Sequence, residues 1–330
     1  MASIGIIANP ASGKDIRRLV SYATTIDNNE KVNICKRIVL AAQGMGISEA
    51  IFMPETFMIG YTVKEQLNDD RVLTATLSLL DFQIDASLAD TVAAARLMEE
   101  RGVGCVVVLG GDGTSRAAAK GLTNVPLLPI STGTNNVYPA MMEGTVAGMA
   151  AAAVALMPDP RVCCIRDKRI CVYINGEYRD MALIDAVVSD DFFAGAKAIW
   201  EPERIKKIIV SRCHPATIGF SAVAGVYRIV EDSDDFALAL DLGEGGERFF
   251  APIAAGVLTP VKIKGTRRLA LGEPCEFTAE ARCMIALDGE REVRVDEGDR
   301  VSVVVTRDGP WRVLPRAALT EAARLGMYKK

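Results

Sequence analysis

Three short polar stretches carry the residues in this sequence that could do chemistry. The first is Asn9-Pro10-Ala11-Ser12-Gly13-Lys14, the second Gly110-Gly111-Asp112-Gly113-Thr114, and the third Ser131-Thr132-Gly133-Thr134-Asn135-Asn136. Each follows an apolar run rich in β-branched residues, and the second and third precede text rich in helix formers. A buried strand, a tight turn and a helix start are the elements this pattern specifies. Glycine allows positive φ and close backbone approach to a ligand. A helix N-terminus offers unpaired N–H groups and a positive dipole, so such a turn suits phosphate. Asp112 stands out, because a carboxylate in a phosphate cradle repels its ligand unless it holds a metal ion or takes a proton. Helix capping by Asp112 and Thr114 is the plain structural alternative. Threonine hydroxyls and asparagine amides in the third stretch can hold ribose or substrate hydroxyls.

Other familiar chemistries fit poorly. A P-loop reads G-x-x-x-x-G-K-[ST], whereas here Ala8 stands at the first glycine position and Asp15 follows Lys14. No G-x-G-x-x-G follows the first apolar run, which weakens a dinucleotide-dependent dehydrogenase. His214 is the only histidine, which excludes sites built from several imidazoles; it precedes Pro215 and suits a turn. The eight cysteines contain no C-x-x-C pair and lie mostly in apolar text, so buried, reduced thiols are expected.

The 330 residues are enough for two domains. Half of them are hydrophobic and the net charge is −4, giving no footprint for nucleic acid or an anionic membrane. No apolar run reaches the roughly 18 residues of a membrane span. No basic stretch followed by a hydrophobic core opens the chain, so a cytoplasmic location is expected. The expected partners are a nucleotide and a small-molecule substrate, with a homo-oligomer left open.

The elements that must position these turns alternate in type. Strands are expected at Ser3–Ala8, Glu49–Met53, around Thr74–Leu77, at Val103–Leu109 and at Val125–Ile130. Helices are expected within Ile16–Gly44, with a break at Asp27-Asn28-Asn29, and at Pro54–Leu67, Ser87–Arg101 and up to Leu156. Alternation of this kind predicts a Rossmann-like parallel α/β domain over residues 1–140, with ligands at the carboxyl ends of its strands. All three turns lie at such ends. Beyond Met157-Pro158-Asp159-Pro160 the text becomes a series of short β-like runs, among them Thr217–Ala222, Tyr227–Val230, Phe236–Leu242 and Phe249–Ile253, with hairpin signals at Asn175-Gly176 and Asp288-Gly289. This predicts a mostly antiparallel β-sandwich over 141–313, with one helical exception at Ala194–Ser211. A last helix over 314–330 is expected to pack back on the first domain.

The second turn, with the first upstream of it, resembles the NAD kinase/diacylglycerol kinase superfamily. The third turn looks like that superfamily's second conserved loop, and Asp288-Gly289-Glu290 looks like the acidic motif lipid kinases carry in their β domain. Within the superfamily the chain resembles the AcoX-like, ATP-NAD kinase-like proteins of acetoin catabolism gene clusters. The resemblance implies a nucleotide between two domains and ATP- and Mg2+-dependent phosphoryl transfer to a hydroxyl. It implies that Asn9, Ser12, Lys14, Gly110, Gly111, Gly113, Thr114, Thr132, Gly133, Thr134, Asn135 and Asn136 bind the nucleotide. Asp112 would assist the acceptor hydroxyl or a magnesium ion, and Glu290 is the second catalytic candidate. Val137 departs from the pattern, because lipid kinases have an aspartate there. A nucleotide-binding accessory or sensor protein without catalysis is the alternative.

Overall fold

The computed structural model describes residues 2–12, 26–133, 136–190 and 202–329. The first half runs β1 (Ser3–Ala8), α1 (Asn28–Met45), β2 (Glu49–Phe52), α2 (Ile59–Asp69), β3 (Thr76–Leu79), α3 (Leu88–Glu100), β4 (Cys105–Gly110), α4 (Asp112–Gly121), β5 (Leu127–Ser131) and α5 (Gly144–Leu156). The second half runs β6 (Cys164–Arg166), β7 (Arg169–Ile174), β8 (Glu177–Ala182), β9 (Asp185–Ser189), β10 (Ile205–Val210), α6 (Phe220–Gly225), β11 (Phe236–Ala254), β12 (Val257–Ala270), β13 (Pro274–Thr278), β14 (Cys283–Leu287), β15 (Glu290–Val295), β16 (Arg300–Thr306), β17 (Trp311–Val313) and α7 (Pro315–Arg324).

Local sequence explains the helix limits. Asp27 caps α1 by accepting the Glu30 N–H at 2.8 Å, so the Asp27-Asn28-Asn29 break is this helix's start. Ser87 and Asp90 form a reciprocal capping box on α3, and Gly102 follows with φ of 66°. The part of the first predicted helix before residue 26 lies outside the described residues.

A seven-stranded sheet has the order β3-β2-β1-β4-β5-β17-β6, parallel from β3 through β17. The order reverses at β1 and β4, the switch point where such sheets bind ligands. Register then does the positioning. Ala8 pairs with Leu109 and Gly110 pairs with Ser131, so the residues that follow emerge side by side from one edge. Both faces of this sheet are covered, and Val106 to Leu109 are all 0% exposed, as an uninterrupted apolar strand requires. The alanines of α5, from Ala147 to Ala153, share a core with β1 and α1, and so do Ala318 and Ala322 of α7.

The remaining strands form a six-stranded sheet, β12-β11-β10-β9-β14-β15, and a four-stranded one, β13-β16-β7-β8, all antiparallel. Their facing sides supply one core, with Val172, Val303 and Ile174 against Val188, Ile285 and Leu269. This is the two-layer antiparallel architecture read from the sequence.

Several runs resolve differently from expectation. Ile205–Val210, expected as helix, is the strand β10; residues 194–201 of that expected helix lie outside the described residues. Its Ile209 enters the core between the sheets, while Ile208 and Val210 pack beneath α6, so apolar residues fall on both faces. Periodicity cannot separate such a strand from a helix. Thr217–Ala222 and Tyr227–Val230, expected as strands, contain the helix α6 and a single bridge from Cys213 to Val230. The predicted Phe236–Leu242 and Phe249–Ile253 strands are one element, β11, with irregular register around Gly243 and Gly245. Among the described residues no helix is long and apolar enough to cross a membrane.

Candidate functional site

The three turns are joined to one another pairwise. Between the first and second, Asn9 Nδ2 donates to Thr114 Oγ1 at 2.8 Å. Between the first and third, the Ser12 and Thr132 hydroxyls are 2.8 Å apart. Between the second and third, the Thr132 N–H reaches the Gly110 carbonyl at 3.1 Å. Within the third, Asn136 Nδ2 donates to Ser131 Oγ at 2.8 Å and to the Gly133 carbonyl at 3.3 Å. Asn9, Ser12, Gly111, Asp112, Gly113, Gly133 and Asn136 remain partly exposed, while Thr114 and Thr132 are buried beneath them. Gly13, Lys14, Thr134 and Asn135 lie outside the described residues.

The glycines of the second turn serve close approach rather than positive φ, which none of Gly110, Gly111 and Gly113 adopts. A Cβ at Gly110 would stand 2.5 Å from Thr114 Cβ, one at Gly111 2.8 Å from Asn136 Oδ1, and one at Gly113 2.9 Å from Glu290 Oε1. The first contact lies within the turn, the second spans two turns, and the third reaches the other half of the molecule. Glu290 starts β15 after the turn at Asp288 (φ 50°) and Gly289 (φ 81°), and its side chain is 30% exposed. It therefore lies over the first turn of α4, where a helix dipole favours negative charge. Arg116, one turn further along α4 and 1% exposed, has guanidinium nitrogens 4.0 Å from Glu290 Oε2, 4.0 Å from Asp288 Oδ2 and 3.4 Å from Asp180 Oδ2.

Asp112 accepts from the backbone of the chain leaving the third turn. Its Oδ1 accepts the Val137 N–H at 3.0 Å and the Tyr138 N–H at 2.8 Å, and its Oδ2 lies 3.1 Å from the same Val137 nitrogen. The carboxylate thus latches the chain that leaves the third turn. Asp288 plays a similar part in the other half, accepting the N–H groups of Leu183, Ile184 and Asp185 at 2.8–3.2 Å. Burial raises the Asp288 pKa despite those donors and Arg116.

Residues that the sequence reading passed over complete the frame. Lys31 is 0% exposed, and its ammonium donates to the Asn9 and Ser12 carbonyls at 2.9 and 2.8 Å and to Asn28 Oδ1 at 3.1 Å. It thereby fixes the first turn from behind. Its signal was present, because Lys31 falls on the same helical stripe as buried Cys35, Ile38 and Ala42, and a lysine there needs several acceptors. Tyr138 and Asp167 gave no sequence signal, since their contacts span distant segments. The Tyr138 hydroxyl donates to Asp167 Oδ2 at 2.6 Å. Arg212 and Arg312 also hold Asp167, at 3.0 and 2.8 Å, and both bind Asp232. Burial pushes the Asp167 pKa up, but Arg212 and Arg312 together hold it below the usual carboxylate value; burial beside Asp167 raises the Tyr138 phenol.

The arrangement can hold an anion. The N-cap of α4 is Gly111, in extended conformation with no side-chain cap, so the N–H groups of this ten-residue helix start are not closed off by a capping side chain. Among the described residues no group of three or more His, Cys, Asp or Glu is placed to hold a cation, and Asp112 is engaged with backbone donors.

A parallel α/β sheet joined to a pair of antiparallel sheets is the NAD kinase-like fold. The crystal structure of yeast NADH kinase complexed with NADH shares it at a TM-score of 0.55, covering 100% of this chain and 89% of that one at 13% identity. A putative diacylglycerol kinase from Bacillus anthracis gives a TM-score of 0.48 over 94% of this chain and 97% of its own, at 10% identity. Residues 4–156 match the ATP-NAD kinase N-terminal domain, and residues 168–308 match the acetoin catabolism protein X C-terminal domain. Acetoin catabolism protein X of Cupriavidus necator is 37% identical over 96% of this chain and 90% of its own length. The chain belongs to the acetoin catabolism protein X family.

Proposed function

We propose that this chain is an ATP-dependent kinase that transfers a phosphoryl group to a hydroxyl of NAD(H) or of a small metabolite linked to acetoin catabolism. The observation that carries the reading is the pairwise joining of the three turns, with Glu290 arriving over Gly113 from the other half. Phosphoryl transfer depends on positioning and charge stabilisation more than on covalent chemistry. The α4 start and the backbone of Gly110, Gly111 and Gly113 would hold phosphate oxygens. The Ser12, Thr114 and Thr132 hydroxyls with Gly133 and Asn136 would border them; Lys14, Thr134 and Asn135 are further nucleotide-binding candidates that lie outside the described residues. Asp112, which also holds the loop leaving the third turn, is the first candidate to accept the proton of the incoming hydroxyl, and Glu290, half-exposed, is the second. Magnesium would have to arrive with the polyphosphate, since the described residues do not build its cage.

A second reading, a nucleotide-binding accessory or sensor protein, is favoured by one observation: the position of the lipid kinases' aspartate is Val137, and that residue's N–H occupies Asp112. Magnesium-dependent ATP consumption with NAD, NADH, acetoin and polyols as acceptors separates the two. Consumption that requires one acceptor supports the kinase. Tight ATP binding with no consumption for any acceptor supports the accessory protein.

A further inference from the structure

The Asp112 latch continues into the interior as an unbroken chain of contacts. The same residue that binds Asp112 through its backbone, Tyr138, is anchored through its hydroxyl to Asp167. The residue is only 4% exposed and its ring lies beside two guanidinium groups, with Arg212 at 5.1 Å and Arg312 at 5.5 Å from its centroid. Asp167, at 0% exposure, lies between β6 and β7; Arg212 follows β10, and Arg312 is in β17. The anchor is thus assembled from segments far apart in sequence, where the two halves of the molecule meet. Its chain neighbour Val137 binds the same carboxylate, and the segment ends in a bridge between Ala140 and Ile130.

We propose that Asp167, acting through the Tyr138 hydroxyl, is a positioning residue that fixes the Val137 and Tyr138 amides against Asp112. A buried tyrosine held at both ends has one placement. Freed at its hydroxyl, the ring can tilt and carry the amides away from the carboxylate. The inference deepens the proposed kinase reading, because it concerns the same carboxylate, but its geometric part stands without any substrate.

The test uses the full chain. Tyr138→Phe deletes only the hydroxyl and keeps the ring beside its two arginines. Arg312→Lys disturbs Asp167 while leaving the tyrosine hydrogen bond in place, so it reports generic destabilisation of the junction. Hydrogen exchange is followed at the Val137 and Tyr138 amides and at those within α4. The expected result for Tyr138→Phe is a loss of protection of at least about tenfold at Val137 and Tyr138, with α4 interior amides unchanged; Arg312→Lys leaves the Val137 and Tyr138 amides each within about twofold of its own wild-type protection. Unchanged protection at those two amides in Tyr138→Phe overturns the proposal, and so does an equal loss in Arg312→Lys. Where turnover is measurable, kcat per folded molecule in Tyr138→Phe, the folded fraction being fixed from its unfolding curve, falls about tenfold with KM for nucleotide within about threefold. A wild type that turns over no acceptor defeats the kinase reading alone, because the exchange result still decides the positioning role.

Discussion

Asp112 and Asp167 are two carboxylates at opposite ends of one chain of contacts, and their surroundings differ in kind. Asp167 is sealed from solvent, with two guanidinium groups and a phenol on its oxygens. Asp112 is half-exposed at the lip of three turns and takes two neutral amides. A buried charge surrounded by opposite charges is fixed in one state and one place, which suits architecture. A half-exposed carboxylate that accepts from backbone amides at the lip of the turns is fixed in place beside the groove, which suits chemistry. The comparison separates where the molecule is held from where it can act.

The largest expected effect lies at the buried end. Asp167→Ala leaves Arg212 and Arg312 without their shared acid and should lower stability by about 3–5 kcal/mol, read by denaturant unfolding. A loss below about 1 kcal/mol would erase the contrast between the two acids. Next comes Asp112→Asn, which keeps an acceptor oxygen for the Val137 and Tyr138 amides. It should cut turnover by about a hundredfold or more while the unfolding midpoint moves little. Full turnover in that variant removes Asp112 from the chemistry and leaves it as a latch.

Lys31→Met tests the frame behind the first turn. It strands the Asn9 and Ser12 carbonyls and should lower stability by about 1–3 kcal/mol, with weakened nucleotide affinity measured by titration calorimetry. Gly113→Ala should be milder for folding, because the added Cβ meets the far end of the Glu290 side chain. Turnover should fall about tenfold as Glu290 is displaced, about 1.4 kcal/mol at the transition state; unchanged turnover would place Glu290 outside the reaction.

The smallest effect is in pH dependence, and its sign distinguishes two buried acids. The folded pKa of Asp167 is depressed, so its stabilisation is present above the ordinary value of 3.8 and is lost as pH falls below it. The folded pKa of Asp288 is raised, so its contribution is present below 3.8 and is lost as pH rises. Each is worth at most about 1.4 kcal/mol per pH unit. Asp167→Asn should therefore flatten the acid limb of a stability–pH curve, and Asp288→Asn should steepen it; identical limbs in the two variants would contradict the assignment.

Much of this was legible in the sequence where the physics is local. Buried parallel strands such as Val106–Leu109 read as apolar runs, and Ser87 and Asp90 announced a helix start. The side-by-side emergence of the turns followed from alternation of strands and helices, since a parallel sheet leaves their carboxyl ends on one edge. What escaped was set by tertiary pairing. β10 is apolar on both faces because it lies mid-sheet, and β17 is three residues that become a strand only by lying between β5 and β6. The Tyr138–Asp167 anchor joins residues 29 positions apart, and Arg312 reaches Asp167 across 145, so no spacing rule finds either. Lys31 was readable as a polar residue on an apolar stripe.

The central claim is that the three turns together bind a polyphosphate. The direct measurement is an amide-resolved NMR titration of the full chain with ATP and magnesium. The account predicts saturable shifts at Gly111, Gly113 and Thr114 together with Ser12 and Gly133, at one common dissociation constant. Shifts confined to other faces of the molecule, or none at saturating ATP, would contradict it.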